Sequence, residues 1–237
     1  MSQSESLRQR VEQHKPKNTK SKLDDKAIYI AMRKVISYLN TRFDMENQFP
    51  EYEIIFETSL LVADMVKFIK SKGIRNDFDY SYIDRKITPD GGVLFLQNKQ
   101  TKEKRPILIS EIKRQGTNDE RLKEGKEKQA TGNAIERLGK NLTGIKAMMN
   151  YEKITPFVCF GWGCDFAEDQ ITVLAKVGIL NEFYPLNKTF VFKRDGNADC
   201  NRYSPVSMYF REKPWSVDEM FDIMKEIAET ALRYYLY

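Results

Sequence analysis

The spacing of apolar residues changes character several times along the chain. After Asp24 and Asp25, Ile28, Ala31, Val35, Ile36 and Leu39 recur at helical intervals, which predicts an amphipathic helix running to about Phe43. Asn47 to Tyr52, with Pro50, reads as a break, and Ser59 to Lys72 as a second helix closed by Gly73. The period then shortens. Val93-Leu94-Phe95-Leu96 and Ile107-Leu108-Ile109 are short apolar runs on either side of a charged turn, Asn98 to Arg105, and predict two strands of a hairpin.

Further on, Gly116 to Gln129 has no apolar face and reads as a loop or an arm. Gly132-Asn133 opens a helix with apolar positions Ile135, Leu138, Leu142, Ile145 and Met148. Phe157 to Phe160, Thr189 to Phe192 and Val206 to Phe210 have the look of strands. The chain closes on a helix begun by Ser216 and Glu219, a capping-box pair, with Met220, Phe221, Met224, Ile227, Ala231 and Leu232 as its core stripe. Helix, strands, helix, strand, helix is the order of a mixed α/β domain. Residues 1–23 are polar and are expected to form a flexible N-terminal arm, leaving 24–237 as a single domain.

Composition narrows the chemistry. With 237 residues, 41% hydrophobic and 31% charged, the chain can bury a sizeable core. No apolar run approaches the roughly 18–20 residues of a membrane span, so no membrane partner is expected. No apolar segment in residues 1–22 suggests a secretory signal. Three cysteines, an odd number, suit free thiols in a reducing, cytoplasmic setting. Lys plus Arg exceed Asp plus Glu by 39 − 34 = 5, compatible with a polyanionic partner. The single histidine, His14, lies in the polar arm. Histidine-based triads and His-ligated metal sites are therefore poorly served, and catalysis would rest on carboxylates and lysines.

Such a set is present. Pro89-Asp90 heads one predicted strand and Glu111-Ile112-Lys113 ends the next. Alternate strand residues share a face, so Glu111 and Lys113 project together, and a hairpin can bring Asp90 beside them. Two carboxylates suit Mg2+, which keeps waters and accepts phosphate oxygens. Such a metal can neutralise a scissile phosphodiester and help ionise a water, while a lysine orients that water or offsets developing charge. The alternative is an ordinary surface set of Asp, Glu and Lys. The apolar flanks Ile109 and Ile112 speak against it, because the charges then end a buried strand.

Pro-Asp-Gly-Gly at 89–92, Glu-Ile-Lys-Arg-Gln-Gly at 111–116 and Gly-Asn-Ala-Ile-Glu-Arg at 132–137 occur in this order and spacing in EcoRI-type restriction endonucleases. The chain resembles that family, within the wider PD-(D/E)XK nuclease group. Gly178-Ile179-Leu180-Asn181 and Met220 to Met224 extend the resemblance toward the C-terminus. It implies a central mixed β-sheet flanked by helices, with Asp90 and Glu111 binding Mg2+ and Lys113 completing the catalytic set. It implies that Gln115 supports the base-contacting residues, and that Asn133, Ala134 and Arg137 read the inner bases of AATT in the major groove. An Asn amide can pair with adenine, an Arg fork suits purine acceptors, and Ala accommodates a thymine methyl. For Asn133 and Glu136 a plain helix cap is the competing role, and the two are compatible.

The stretch 116–130 corresponds to the arm that wraps DNA in the family. Arg121, Lys123, Lys126 and Lys128 would meet phosphates there, and Gln129, Ala130 and Thr131 lead into the reading segment. Four interleaved acids leave a merely solvated loop as the alternative for each basic residue. Members that read GAATTC place arginines just after Gly-Ile-Leu-Asn, where this chain has Glu182 and Pro185. The CAATTG-reading branch has an arginine before Gly-Asn-Ala, where this chain has Thr131. The resemblance thus implies a type II restriction endonuclease acting on double-stranded DNA at a palindromic AATT core and leaving 5′ overhangs. It implies a homodimer and a methyltransferase that need not touch it. A repair or recombination nuclease of the same group, or a non-cleaving DNA-binding protein, are the rival readings. Trp162 and Trp215 are read as packing residues, and Cys159 and Cys164 as a poor zinc site.

Overall fold

The computed structural model describes residues 19–64, 70, 73, 85–114, 118–127, 144–145, 154, 156–163, 189–193 and 206–237. Helix α1 spans Thr19–Phe43 and is followed by a single turn, α2, at Met45–Gln48. The helix begins five residues before Asp24, so the backbone of 19–23 is helical. Ile28, Ala31, Met32, Val35 and Leu39 are fully buried, one face of a 3.6-residue repeat. Ile36 is only partly buried against the same core.

Six strands form the main sheet: β1 (Tyr52–Glu57), β4 (Gly92–Asn98), β5 (Lys104–Arg114), β6 (Phe157–Trp162), β8 (Val206–Arg211) and β7 (Thr189–Lys193), in that spatial order. A second, two-stranded ribbon pairs β2 (Leu60–Leu61) with β3 (Lys86–Ile87). The predicted hairpin is β4 with β5, antiparallel, with a bulge opposite Leu94 and Phe95. That bulge lies beside Pro106, which has no N–H to give the ladder. β1 adds antiparallel to β4, whereas β6, β8 and β7 run parallel to β5. The sheet is therefore mixed.

Alternation along the strands sends two sets of side chains to opposite faces. Leu94, Leu96, Leu108, Ile112, Val158, Phe160 and Tyr209 join one core with α1 and with α4 (Val217–Leu236). On the other parity, Val93, Phe95, Ile109, Glu111, Phe157, Cys159 and Met208 are also buried. Trp162 and Trp215 belong to the helix-side core, and the Trp215 indole N–H donates to the Gly161 carbonyl at 2.9 Å.

Two regions differ from the pattern reading. β1 carries no clear strand pattern, because all six of its residues are half-buried, as suits an edge strand, and its Glu-Ile-Ile-Phe-Glu run does not alternate cleanly. The helix expected from Ser59 starts later: Leu60 and Leu61 are taken by the ribbon with Ile87 and Lys86, and helical backbone begins at 62. The expected helix from Gly132 is described only at 144–145, where the backbone is helical. Within the stretch read as a loop or arm, Asp119–Lys123 forms a short helix, α3.

The capping box is realised in full. The Ser216 N–H donates to Glu219 Oε2 at 2.9 Å and the Glu219 N–H to Ser216 Oγ at 3.3 Å. Arg211 adds a fork, donating to Oε1 and Oε2 of Glu219 at 2.6 Å each, so that α4 is tied to the end of β8. The Arg211 hydrogen bonds, with help from Ser216 and against partial burial, hold the Glu219 carboxyl down at about 2. Its stabilisation is complete above the ordinary carboxylate value of 4.5 and fades as the pH falls toward 2. Glu219→Ala is expected to lower unfolding stability by about 1 kcal/mol at pH 7. In denaturant titrations, the gap to wild type should close between pH 4.5 and 2.

Candidate active site

The site begins with a tight turn. The Gly92 N–H donates to the Pro89 carbonyl at 3.0 Å, closing a four-residue turn with Asp90 at its second position. Gly92 has φ 77, and a Cβ there would lie 2.6 Å from the Phe56 ring. A Cβ on Gly91 would lie 2.1 Å from Ser110 Oγ and 2.9 Å from the Ile28 side chain. The glycine pair thus lets the turn press between β5, β1 and α1. The Gly91 N–H donates to the Ser110 carbonyl at 3.0 Å, which sets Asp90 beside Glu111.

Three predicted residues meet here. Lys113 Nζ donates to Asp90 Oδ2 in a short ion pair and to Glu111 Oε2 at 2.8 Å. The Asp90 backbone N–H donates to the same Glu111 oxygen at 3.2 Å. The Glu111 side chain is 0% exposed, Lys113 16% and Asp90 28%, so the set grades from interior to solvent. Burial raises the Glu111 carboxyl to about 7, the charge of Asp90 adds to this, and Lys113 opposes it. Burial alone would lower the Lys113 ammonium, but Glu111 and Asp90 outweigh it and hold its pKa above the ordinary lysine value. Two hard carboxylates directed at one cation are a donor set that suits a divalent metal with waters completing its shell.

Two neighbours had no part in the catalytic set read from sequence. Asp25, read only as an acid ahead of a helix, is raised by burial and by the Asp90 charge, with Lys113 opposing. α1 therefore brings a third carboxylate into the field of the site. Cys159 lies opposite Glu111 in the β5–β6 register, and burial, with Glu111 adding to it, pushes its thiol well up, which leaves it unreactive. Nothing in the sequence pattern separates either from ordinary helix-start or core residues. Glu57, an upstream acid, is ion-paired with Lys104.

Other predicted site residues are apart from this cluster or outside the described residues. Arg121, on α3, donates to the Glu127 carbonyl at 2.8 Å, and Lys126 pairs with Glu124 on an exposed surface. Gln115, Lys128, Gln129, Ala130, Thr131, Asn133, Ala134 and Arg137 lie outside the described residues. So do Cys164, Glu182 and Pro185.

The family model for restriction endonuclease EcoRI matches residues 16–236. The chain belongs to the EcoRI restriction endonuclease family. Its relatives include the type II restriction enzyme RsrI of Cereibacter sphaeroides, 28% identical over 86% of this chain and 83% of the relative. Another is the type II restriction enzyme EcoRI of Escherichia coli, 27% identical over 73% of this chain and 84% of the relative. The resemblance read from three short motifs therefore extends over nearly the whole chain, and with it the assignment to the type II restriction endonucleases. Members of this family act on double-stranded DNA and typically use divalent metal ions. No helix among the described residues is long and apolar enough to cross a membrane.

Breaking the buried pair tests the geometry directly. Lys113→Ala leaves Glu111 buried beside Asp90 with their common cation gone, and is expected to cost about 3 kcal/mol of stability. Adding Glu111→Gln should recover most of that loss in a double-mutant cycle followed by chemical denaturation.

Proposed function

We propose that the protein is a Mg2+-dependent type II restriction endonuclease that hydrolyses both strands of duplex DNA at a palindromic site with an AATT core, leaving 5′ overhangs. The observation that carries this reading is the convergence of Asp90, Glu111 and Lys113 at the start of β4 and the end of β5. Asp90 and Glu111 would hold the Mg2+, which supplies charge neutralisation at the phosphodiester and a more acidic water. Lys113, mobile once the carboxylates have a metal to neutralise them, orients the attacking water and offsets negative charge on the phosphoryl oxygens. The burial of Glu111 favours this exchange of cations, because its carboxylate demands positive charge in either state.

Sequence reading falls to the segment after α3. Asn133, Ala134 and Arg137 read the AATT bases with support from Gln115. Arg121, Lys126 and Lys128 add phosphate contacts, and Gln129, Ala130 and Thr131 bind DNA with them. Glu182, Pro185 and Thr131 stand where relatives place arginines, so the flanking base pair is read loosely, read by another segment, or not read. A two-fold site calls for a homodimer with one active site per strand. The catalytic unit is one domain over residues 24–237, working in the cytoplasm alongside a protecting methyltransferase.

Digestion of a fully sequenced plasmid in Mg2+, with sequencing of every fragment end, tests the reading. All ends should fall at AATT, and Asp90→Ala should yield none. Lys113→Ala should lower kcat on the order of a hundredfold to a thousandfold. Ends scattered outside AATT would instead identify a repair-type nuclease.

A further inference from the structure

The edge strand β1 delivers one side chain that the chemistry above leaves without a part. Phe56 is paired with Leu94 across β1 and β4, so Gly92, two residues before Leu94, is its diagonal neighbour on the same face of the sheet. Gly92 puts no side chain there, and the Phe56 ring fills the space: its Cε2 and Cζ lie 2.6 and 2.7 Å from where a Gly92 Cβ would stand. Tyr29 of α1 meets the Phe56 ring edge-on, with centroids 5.3 Å apart and planes at 74°. Ile28, its neighbour on α1, occupies the space beside Gly91. Both glycines that follow Asp90 are thus backed by side chains from elements distant in sequence.

The face on which Phe56 lies decides how it can act. It packs with Leu94 against the helix-side core, whereas Glu111 and Lys113 project from the other face of the sheet. The ring therefore reaches the site only through the backbone of the turn. On the β5 side that backbone is held by hydrogen bonds, from the Gly91 N–H to the Ser110 carbonyl at 3.0 Å and from the Asp90 N–H to Glu111 Oε2 at 3.2 Å. On the β1 side the space beside Gly92 is closed by the Phe56 ring and the Glu57 carbonyl.

We propose that Phe56 is a positioning residue for DNA cleavage: by filling the side-chain space of Gly92 it holds the turn that sets Asp90 against Glu111 and Lys113. The inference rests on the endonuclease reading above. A flat, stiff ring backed by a second ring leaves the turn little room to shift, and a small displacement of a reacting carboxylate costs rate rather than binding.

The test measures kcat, KM and thermal melting for wild type, Phe56→Ala, Phe56→Leu and Ile54→Ala on an AATT duplex in Mg2+. Ile54 lies two residues earlier on β1, opposite Leu96 and partly buried against the same core, so Ile54→Ala opens a void in the same layer away from the turn. Both alanine variants are expected to melt below wild type. Only Phe56→Ala should lose kcat, about ten- to a hundredfold with KM unchanged, and Phe56→Leu should recover part of the loss. Equal kcat losses in the two alanine variants, or none in Phe56→Ala, overturn the proposal. If Phe56→Ala does not fold, Phe56→Leu decides: a kcat no lower than that of Ile54→Ala overturns it.

A second readout does not need DNA. Asp90→Ala is introduced into wild type, Phe56→Ala or Phe56→Leu, and Ile54→Ala, and each protein is unfolded in denaturant. If the ring holds Asp90 against Lys113, the midpoint shift caused by Asp90→Ala should shrink to about half or less in the Phe56 variant and stay unchanged in Ile54→Ala. Equal shifts in all backgrounds overturn the proposal. Wild-type protein that neither binds nor cuts the duplex, yet shows this coupling, overturns the endonuclease reading and leaves the role of Phe56 in holding the turn intact.

Discussion

A carboxylate with no solvent exposure in the middle of a sheet has to be met by positive charge, and Glu111 is that carboxylate. Isolated in an apolar interior it would shed its charge, since burial holds its carboxyl up at about 7 even with Lys113 beside it. Lys113 supplies the partner from two residues along the same strand face, and Asp90 shares the ammonium from the neighbouring turn. Lys113 favours the charged form of Glu111, Asp90 opposes it, and both carboxyls favour the charged ammonium. The same need for a cation makes the pair of carboxylates suited to a metal, so the electrostatics that hold the site together also define its chemistry.

The surrounding fold is arranged to hold that set in register. Gly91 and Gly92 allow the Asp90 turn to press against Ser110, Phe56 and Ile28 at distances a side chain would forbid. Ile28 belongs to the buried face of α1, which packs against α4 and β5. α4 in turn is secured at its start by Ser216, Glu219 and Arg211. A change in the packing of the first helix is therefore felt at Asp90, although the two are far apart along the chain.

Much of this was legible in the chain itself. Strands with clean apolar runs, β4 to β6 and β8, declared themselves because burial on both faces demands continuous apolar residues. The start of α4 was visible because a capping box is a local device whose partners lie three residues apart. β1 was not, since an edge strand half-open to water keeps Glu53 and Glu57 and loses its alternation. The first turn of the expected Ser59 helix also misled: Leu60 and Leu61 suit either state, and a partner near residue 86 chose the strand.

For the site, the chain alone determined the chemical vocabulary: two acids and a lysine, one histidine confined to the polar N-terminus, and motifs with a family resemblance. Alternation within one strand already put Glu111 and Lys113 on a common face. What only the tertiary structure decided was the environment. The depth at which Glu111 is buried, and the arrival of Asp24 and Asp25 from α1 near the end of β5, depend on packing between segments some ninety residues apart. Burial sets the sign and size of each charge's effect, and burial is a property of the assembled layers rather than of any stretch of sequence.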